Sequence, residues 1–259
     1  MRSSCLFLTS TALAALLALP PGAAQAQRRG RSAPTPPPAT QADGSLSSAP
    51  VAPAALPPRL RPLFGGVSVA QATALLGTAR LDDVARSFAS RAEASAFFAR
   101  KGFEYLNENQ PDTATYRFNL AWLLNPQNAD AYHGLGIIAS GQPAATSEAL
   151  ALLSQALVLA PANAGILADL GASHLNRYGQ TKKKKDLTTA DGYLQRALAL
   201  DPNQAAAWQA TARVRYHQEK YAEAWEAVRK GQALNLTSLD FNFITELLAK
   251  QPDPQGMFK

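Results

Sequence analysis

The chain has 259 residues, 47% hydrophobic and 17% charged, and its 25 Lys and Arg outnumber 19 Asp and Glu for a net charge of +6. That balance excludes a chain disordered throughout and suits one large domain or a short repeat array. The basic excess favours acidic partners, and Cys5, the single cysteine, excludes an intrachain disulfide framework or a cysteine-based zinc site.

Arg2, an apolar run from Cys5 to Leu19 and the small residues of Ala24-Gln25-Ala26 follow the order of a secretory signal peptide over residues 1–26. The run is shorter than the roughly 20 apolar residues that span a bilayer, which favours cleavage after Ala26; the alternative is an uncleaved anchor. Residues 27–58 hold eight prolines among Ala, Ser, Thr and Gln. Such a composition buries too little apolar surface to offset chain entropy and is expected to be a disordered, Pro/Ala-rich linker. Its Pro34 to Pro37 spacing fits a polyproline ligand or a plain spacer, and Gln27 to Ser32 is a basic flank.

Residues 59–94 are expected to form an N-terminal helical segment. Val69, Ala72, Leu75 and Leu76 recur at helical spacing between Ser68 and Gly77, Leu81 to Ala89 is a second candidate, and Ser90 with Glu93 has the pattern of a capping box. A longer helix is therefore expected from about Arg91.

Gly102, Tyr105, Ala114, Phe118, Ala121 and Pro126 stand at offsets 0, 3, 12, 16, 19 and 24. The ladder returns as Leu135, Gly136, Ala149, Leu153, Ala156 and Pro161, as Leu170, Gly171, Ala190, Leu194, Ala197 and Pro202, and as Trp208, Ala212, Ala224, Val228 and Gly231. Small residues let two helices approach, large ones fill the space between them, and each proline ends the second helix. Asn128, Asn163 and Asn203 are placed to cap the next helix. Gly102 to Gly136 is 34 residues and Gly136 to Gly171 is 35, but Gly171 to Ala212 is 41, so about seven extra residues fall in the turn of the third unit.

This pattern resembles the tetratricopeptide repeat, from about Ser95 to Leu236. The resemblance implies an all-α, right-handed superhelix of about four helix-turn-helix units, 95–128, 129–163, 164–204 and 205–238. Residues 239–250 would form a capping helix and 251–259 a loose tail. It departs from the pattern at His174 and Arg215, which replace an aromatic residue, and at Leu236, which replaces the last proline.

Catalytic signatures are missing. His133, His174 and His217 occupy different repeat positions, Gly134-Leu135-Gly136 lacks the strand a dinucleotide loop needs, and there is no Walker, GxSxG or HExxH motif. The reading is a protein without enzymatic activity, metal or other cofactor. Lys182, Lys183, Lys184 and Lys185 form a basic loop, either a solvated tip or a contact for an acidic partner or an anionic surface.

In the resembling family, the first helix of each unit faces a concave groove at positions 2, 5, 9, 12 and 13. The lining implied here is Ala99, Phe103, Asn107, His133, Ile137, Ala168, Ala172, Asn176, Gln209, Arg213, Tyr216 and His217, with an apolar segment and one anionic group near Arg213 as its ligand. The expected function is an exported scaffold for protein–protein interaction in a periplasmic or envelope complex, with secretion as the alternative location. Two other readings are an anionic-surface binder through the basic loop and linker, and an accessory subunit of an envelope enzyme. Nucleic acid is excluded for an exported chain, and no long apolar run follows the signal.

Overall fold

The computed structural model describes residues 56–235 and 239–258. The expected signal peptide, and the linker up to residue 55, lie outside the described residues. All regular structure among the described residues is helical, as the ladder of small and large residues implies.

Four antiparallel pairs are stacked in order: α4 (Arg91–Asn107) with α5 (Pro111–Leu124), α6 (Ala129–Ser140) with α7 (Thr146–Leu159), α8 (Ala164–Thr181) with α9 (Lys184–Leu200), and α10 (Ala205–His217) with α11 (Tyr221–Leu234). Helix starts follow local chemistry. Ser90 Oγ accepts from Glu93 N, while the Glu93 carboxylate accepts from Ala89 N instead of closing a reciprocal box. Asn128 and Asn163 cap α6 and α8 by accepting from Asp130 N and Ile166 N. Asn203 does not cap α10. The N-cap is Gln204, one place further on, and it makes no side-chain cap bond.

The spacing within the first three pairs is set by a glycine facing a large side chain. A Cβ at Gly136 would lie 2.7 Å from Leu153, and one at Gly171 2.6 Å from Leu194. Phe118 does this twice: a Cβ would meet its ring at 2.5 Å from Gly102 on its own partner helix and at 2.0 Å from Gly134 on the next unit. In the fourth pair Ala212 replaces the glycine, and the smaller Val228 replaces the large residue in the same buried cluster.

The third unit corrects the sequence reading. Its extra residues lengthen the helices, so that α8 has 18 residues and α9 has 17, and only Lys182 and Lys183 remain between them. About seven residues is close to two helical turns at 3.6 residues each, so the insertion keeps the apolar faces in phase. Lys182 takes a left-handed conformation that turns the chain, and Lys184 and Lys185 belong to α9.

Both ends of the stack are covered. At the N-terminal end a strap runs through a 3-10 turn (Pro58–Leu60) and a one-turn element α1 (Leu63–Gly66), then α2 (Val69–Leu76) and α3 (Thr78–Arg86), which starts three residues earlier than Leu81 and ends before Ala89. Residues 63 to 66 all have positive φ, from 47° at Leu63 to 88° at Gly65. For Leu63 and Phe64 this conformation costs about 1–2 kcal/mol each. It is held by buried Asn119 on α5, whose amide donates to Arg59 O and Arg61 O at 3.0 and 2.8 Å and whose oxygen accepts from Leu63 N at 2.9 Å. Phe64, Ala72 and Leu81 then join the first core cluster with Phe98, Leu120 and Leu123.

At the other end α12 (Phe241–Leu248) packs Phe243, Ile244 and Leu247 against Trp225 and Val228. Residues 251–258 are not the loose tail expected. Asp253 is buried and accepts from Gln255 N, Met257 N and Phe258 N. Phe258 stacks on Trp225 with ring centroids 5.8 Å apart, and the Trp225 indole donates to Gln251 O. Burial pushes the Asp253 carboxyl up, but these backbone donors and Arg229 outweigh it and hold it below the usual range.

Candidate functional site

The first helices of successive units, α6, α8 and α10, lie side by side; polar contacts link α6 to α8, and the Tyr178 and His217 rings, 5.1 Å apart, link α8 to α10. His133 Nε2 lies 2.6 Å from Asp169 Oδ2, and the hydroxyls of Ser140 and Ser173 are 2.9 Å apart. Where these three helices end, they border an open cavity of about 420 Å3 lined by Ser140, Leu175, Asn176, Gln180, Arg213 and His217, with Pro143 of the α6–α7 connection and Thr146 at the start of α7 at its edge.

Three of the expected groove residues, Asn176, Arg213 and His217, meet at this cavity. Others are placed differently. Ala99 and Ala168 are buried, at 0% and 7% exposure, and line nothing. Phe103 packs its ring on Phe118 at 5.0 Å and on His133 at 5.8 Å, closing the seam between the first two units. Asn107 is exposed, and Ile137 and Ala172 are half-buried, but none of the three borders the cavity. Gln209 lies at the seam between α10 and α12. Tyr216 is covered by the capping helix, 5.6 Å from Phe243, and also meets Tyr221 and His217.

Arg213 needs a further correction. Expected to attract an anionic group, its guanidinium instead pairs with Asp240 and lies 4.8 Å from the Phe243 ring centroid. Asp240 is also the cap of α12, accepting from Phe243 N. Arg213 therefore anchors the capping helix, with its charge already compensated. Burial pushes the His217 imidazole below its usual pKa, nearby Lys182 and Arg213 add to that, and Glu246 opposes it. At neutral pH this ring is an uncharged polar wall.

Ser140 and Leu175 were missed although they stand at position 12 of the second and third units, the same position as Tyr216. Gln180 had no such signal, because it reaches the cavity only through the added length of α8.

The extension of α8 and α9 carries its own polar network. The Arg177 guanidinium donates to buried Asp186, with Nε at 2.7 Å, and Thr181 Oγ1 donates to the same carboxylate. His174 stacks on Tyr193 at 5.6 Å and lies 3.5 Å from Asp186. Burial pushes the Asp186 carboxyl up, yet the hydrogen bonds and charge of Arg177 outweigh it and hold the carboxyl below its usual range. His174 is pushed down, first by burial and then by Arg177. Among the described residues no three potential metal ligands cluster, and no helix is long and apolar enough to cross a membrane.

No protein-family model and no curated protein matches the sequence. Solved structures do match the backbone. A thermophilic TPR protein of Thermus thermophilus, TTC0263, superposes with a TM-score of 0.51 at 20% identity, over 60% of this chain and 87% of that one. The chain has the tetratricopeptide-repeat fold. PilF of Pseudomonas aeruginosa superposes on the same tetratricopeptide stack with a TM-score of 0.50 at 22% identity, over 65% of this chain and 79% of that one. PilW, a widely conserved type IV pilus biogenesis factor, gives 0.50 at 21% identity, over 69% and 79%. Within this tetratricopeptide fold the cavity lies on the first helices of the second, third and fourth units.

Proposed function

We propose that the chain is a non-enzymatic scaffold that holds a segment of a partner protein in the cavity between α6, α8 and α10. One observation carries this reading: three successive first helices present Ser140, Asn176, Gln180 and His217 around about 420 Å3, with Leu175 as an apolar floor. Several polar groups converging on a concave, partly apolar wall suit orientation of a bound chain. A periplasmic or envelope setting is supported by the signal-like residues 1–26 and by the likeness to a type IV pilus biogenesis factor.

The test is a photo-crosslinking side chain placed at Asn176, inside the cavity, or at exposed Gln195 on α9, in cells that make the protein. Capture of a partner from position 176 and none from 195 is the expected result. Equal capture from both positions, or capture from 195 alone, overturns the groove reading.

A further inference from the structure

The longer third unit makes a surface that its neighbours lack. With 18 and 17 residues against 12 and 14 in α6 and α7, the α8/α9 pair reaches roughly 5–9 Å further at about 1.5 Å per residue. Its tip carries Lys182, Lys183, Lys184 and Lys185, all exposed. Among the described residues none of the four enters an ion pair; Lys182 instead lies over the Tyr178 ring at 5.7 Å.

The tip overhangs the end of α10 and forms with it a second cavity of about 530 Å3, lined by Tyr178, Lys184, Leu187, Thr188, His217 and Glu219. His217 is also a wall of the groove cavity, so the two spaces adjoin across one imidazole. The groups around that ring come from every neighbouring element. Lys182 and Lys184 approach from the tip, Arg213, already paired with Asp240, from α10, Glu219 from the turn after α10, and Glu246 from α12. The positive charge of the four lysines, none of them in an ion pair among the described residues, exceeds the negative charge of Glu219 and Glu246.

We infer that this overhang docks an acidic segment of a protein partner, which leaves the groove past His217 and runs through the second cavity beside Lys184, at the foot of the four-lysine tip. Charge complementarity selects the acidic residues, and the walled cavity between α9 and the end of α10 fits an extended chain better than a flat lipid surface. The inference rests on the groove reading for the path of the segment, and the two fail separately.

The test uses the purified full chain and a dye-labelled peptide of alternating Glu and Ala, read by fluorescence anisotropy, beside the same peptide with Gln for Glu. Binding of the Glu peptide should weaken about tenfold or more when Lys182, Lys183, Lys184 and Lys185 are all changed to Ala, and should fall with added salt. Circular dichroism and the melting temperature of that variant should match the parent. Equal binding by the variant, or equal binding of the Gln peptide, overturns the inference. So does tighter binding to vesicles containing an anionic phospholipid than to the Glu peptide. Crosslinking from position 176 that persists while the lysines prove indifferent removes this inference alone. Loss of the position-specific crosslink with lysine-dependent peptide binding intact removes the groove path and leaves the overhang as a separate acidic-peptide site.

Discussion

In the first helix pair the ring of Phe118 fills the gap left by Gly102 and Gly134, and in the third the smaller Leu194 meets Gly171 while Arg177 and Asp186 tie α8 to α9 further along. The apolar contact sets the distance between paired helices over the length that all units share. Beyond that length the third pair has no second glycine facing a large side chain, and a buried carboxylate with a guanidinium partner does the fastening. An insertion into a repeat thus requires both helical phase and a new cross-link at its far end.

The difference is open to direct attack. Phe118→Ala should give the largest loss, about 3–5 kcal/mol by chemical denaturation, because it empties contacts to two units at once. A loss no greater than that of Leu194→Ala would remove the distinction between the pairs. Asp186→Ala should cost about 2 kcal/mol, since it removes a buried carboxylate and its hydrogen bonds to Arg177 and Thr181, while the Arg177 side chain, 37% exposed, can be rehydrated. A hydrogen-exchange experiment should show the opening confined to the ends of α8 and α9; uniform loss of protection would mean that the brace supports the whole stack. Gly134→Ala should cost about 1–3 kcal/mol by overpacking, with a Cβ directed 2.0 Å from the Phe118 ring. That cost should shrink in a Phe118→Leu background, and an unchanged cost would place the strain elsewhere.

The smallest expected effect is on pH dependence. Folding holds His174 below its ordinary value of 6.5, so the unfolded chain binds the proton more readily and stability falls as pH drops through 6.5 toward the folded value. Asp186, held below its usual range, works at lower pH: its contribution is present above the unfolded carboxylate value of 3.8 and is lost as pH falls through the folded one. His174→Gln should flatten the first part of this loss between pH 7 and pH 5, leaving a remainder from His217, which is shifted the same way. An unchanged slope would show that the His174 environment carries no titration.

The repeat ladder is legible because helical periodicity and close packing are written into residues a few places apart. Gly102, Ala114 and Phe118 announce their pair without reference to the rest of the chain. Position 12 of each unit is legible too, and applying it at Ser140 and Leu175 finds the missing part of the cavity wall. Contacts between distant segments leave no such trace. Asn119 reads as one more polar residue of a helix, yet it meets Leu63 across 56 positions. Arg213 reads as available because Asp240 caps α12, two helices further on, and Asp253 reads as loose because its partners are backbone amides. The lysine run reads as a loop because polar composition says nothing about helical phase.

Asn119 grips only main-chain atoms of the strap, two carbonyls and one amide, so it recognises a path and not a set of side chains. The letters at Arg59 and Arg61 can change without altering that grip, whereas proline at 63 would delete the amide it needs. At these strap positions tolerance to mutation is therefore governed by backbone shape, while the neighbouring Phe64 stays constrained by its place in the core.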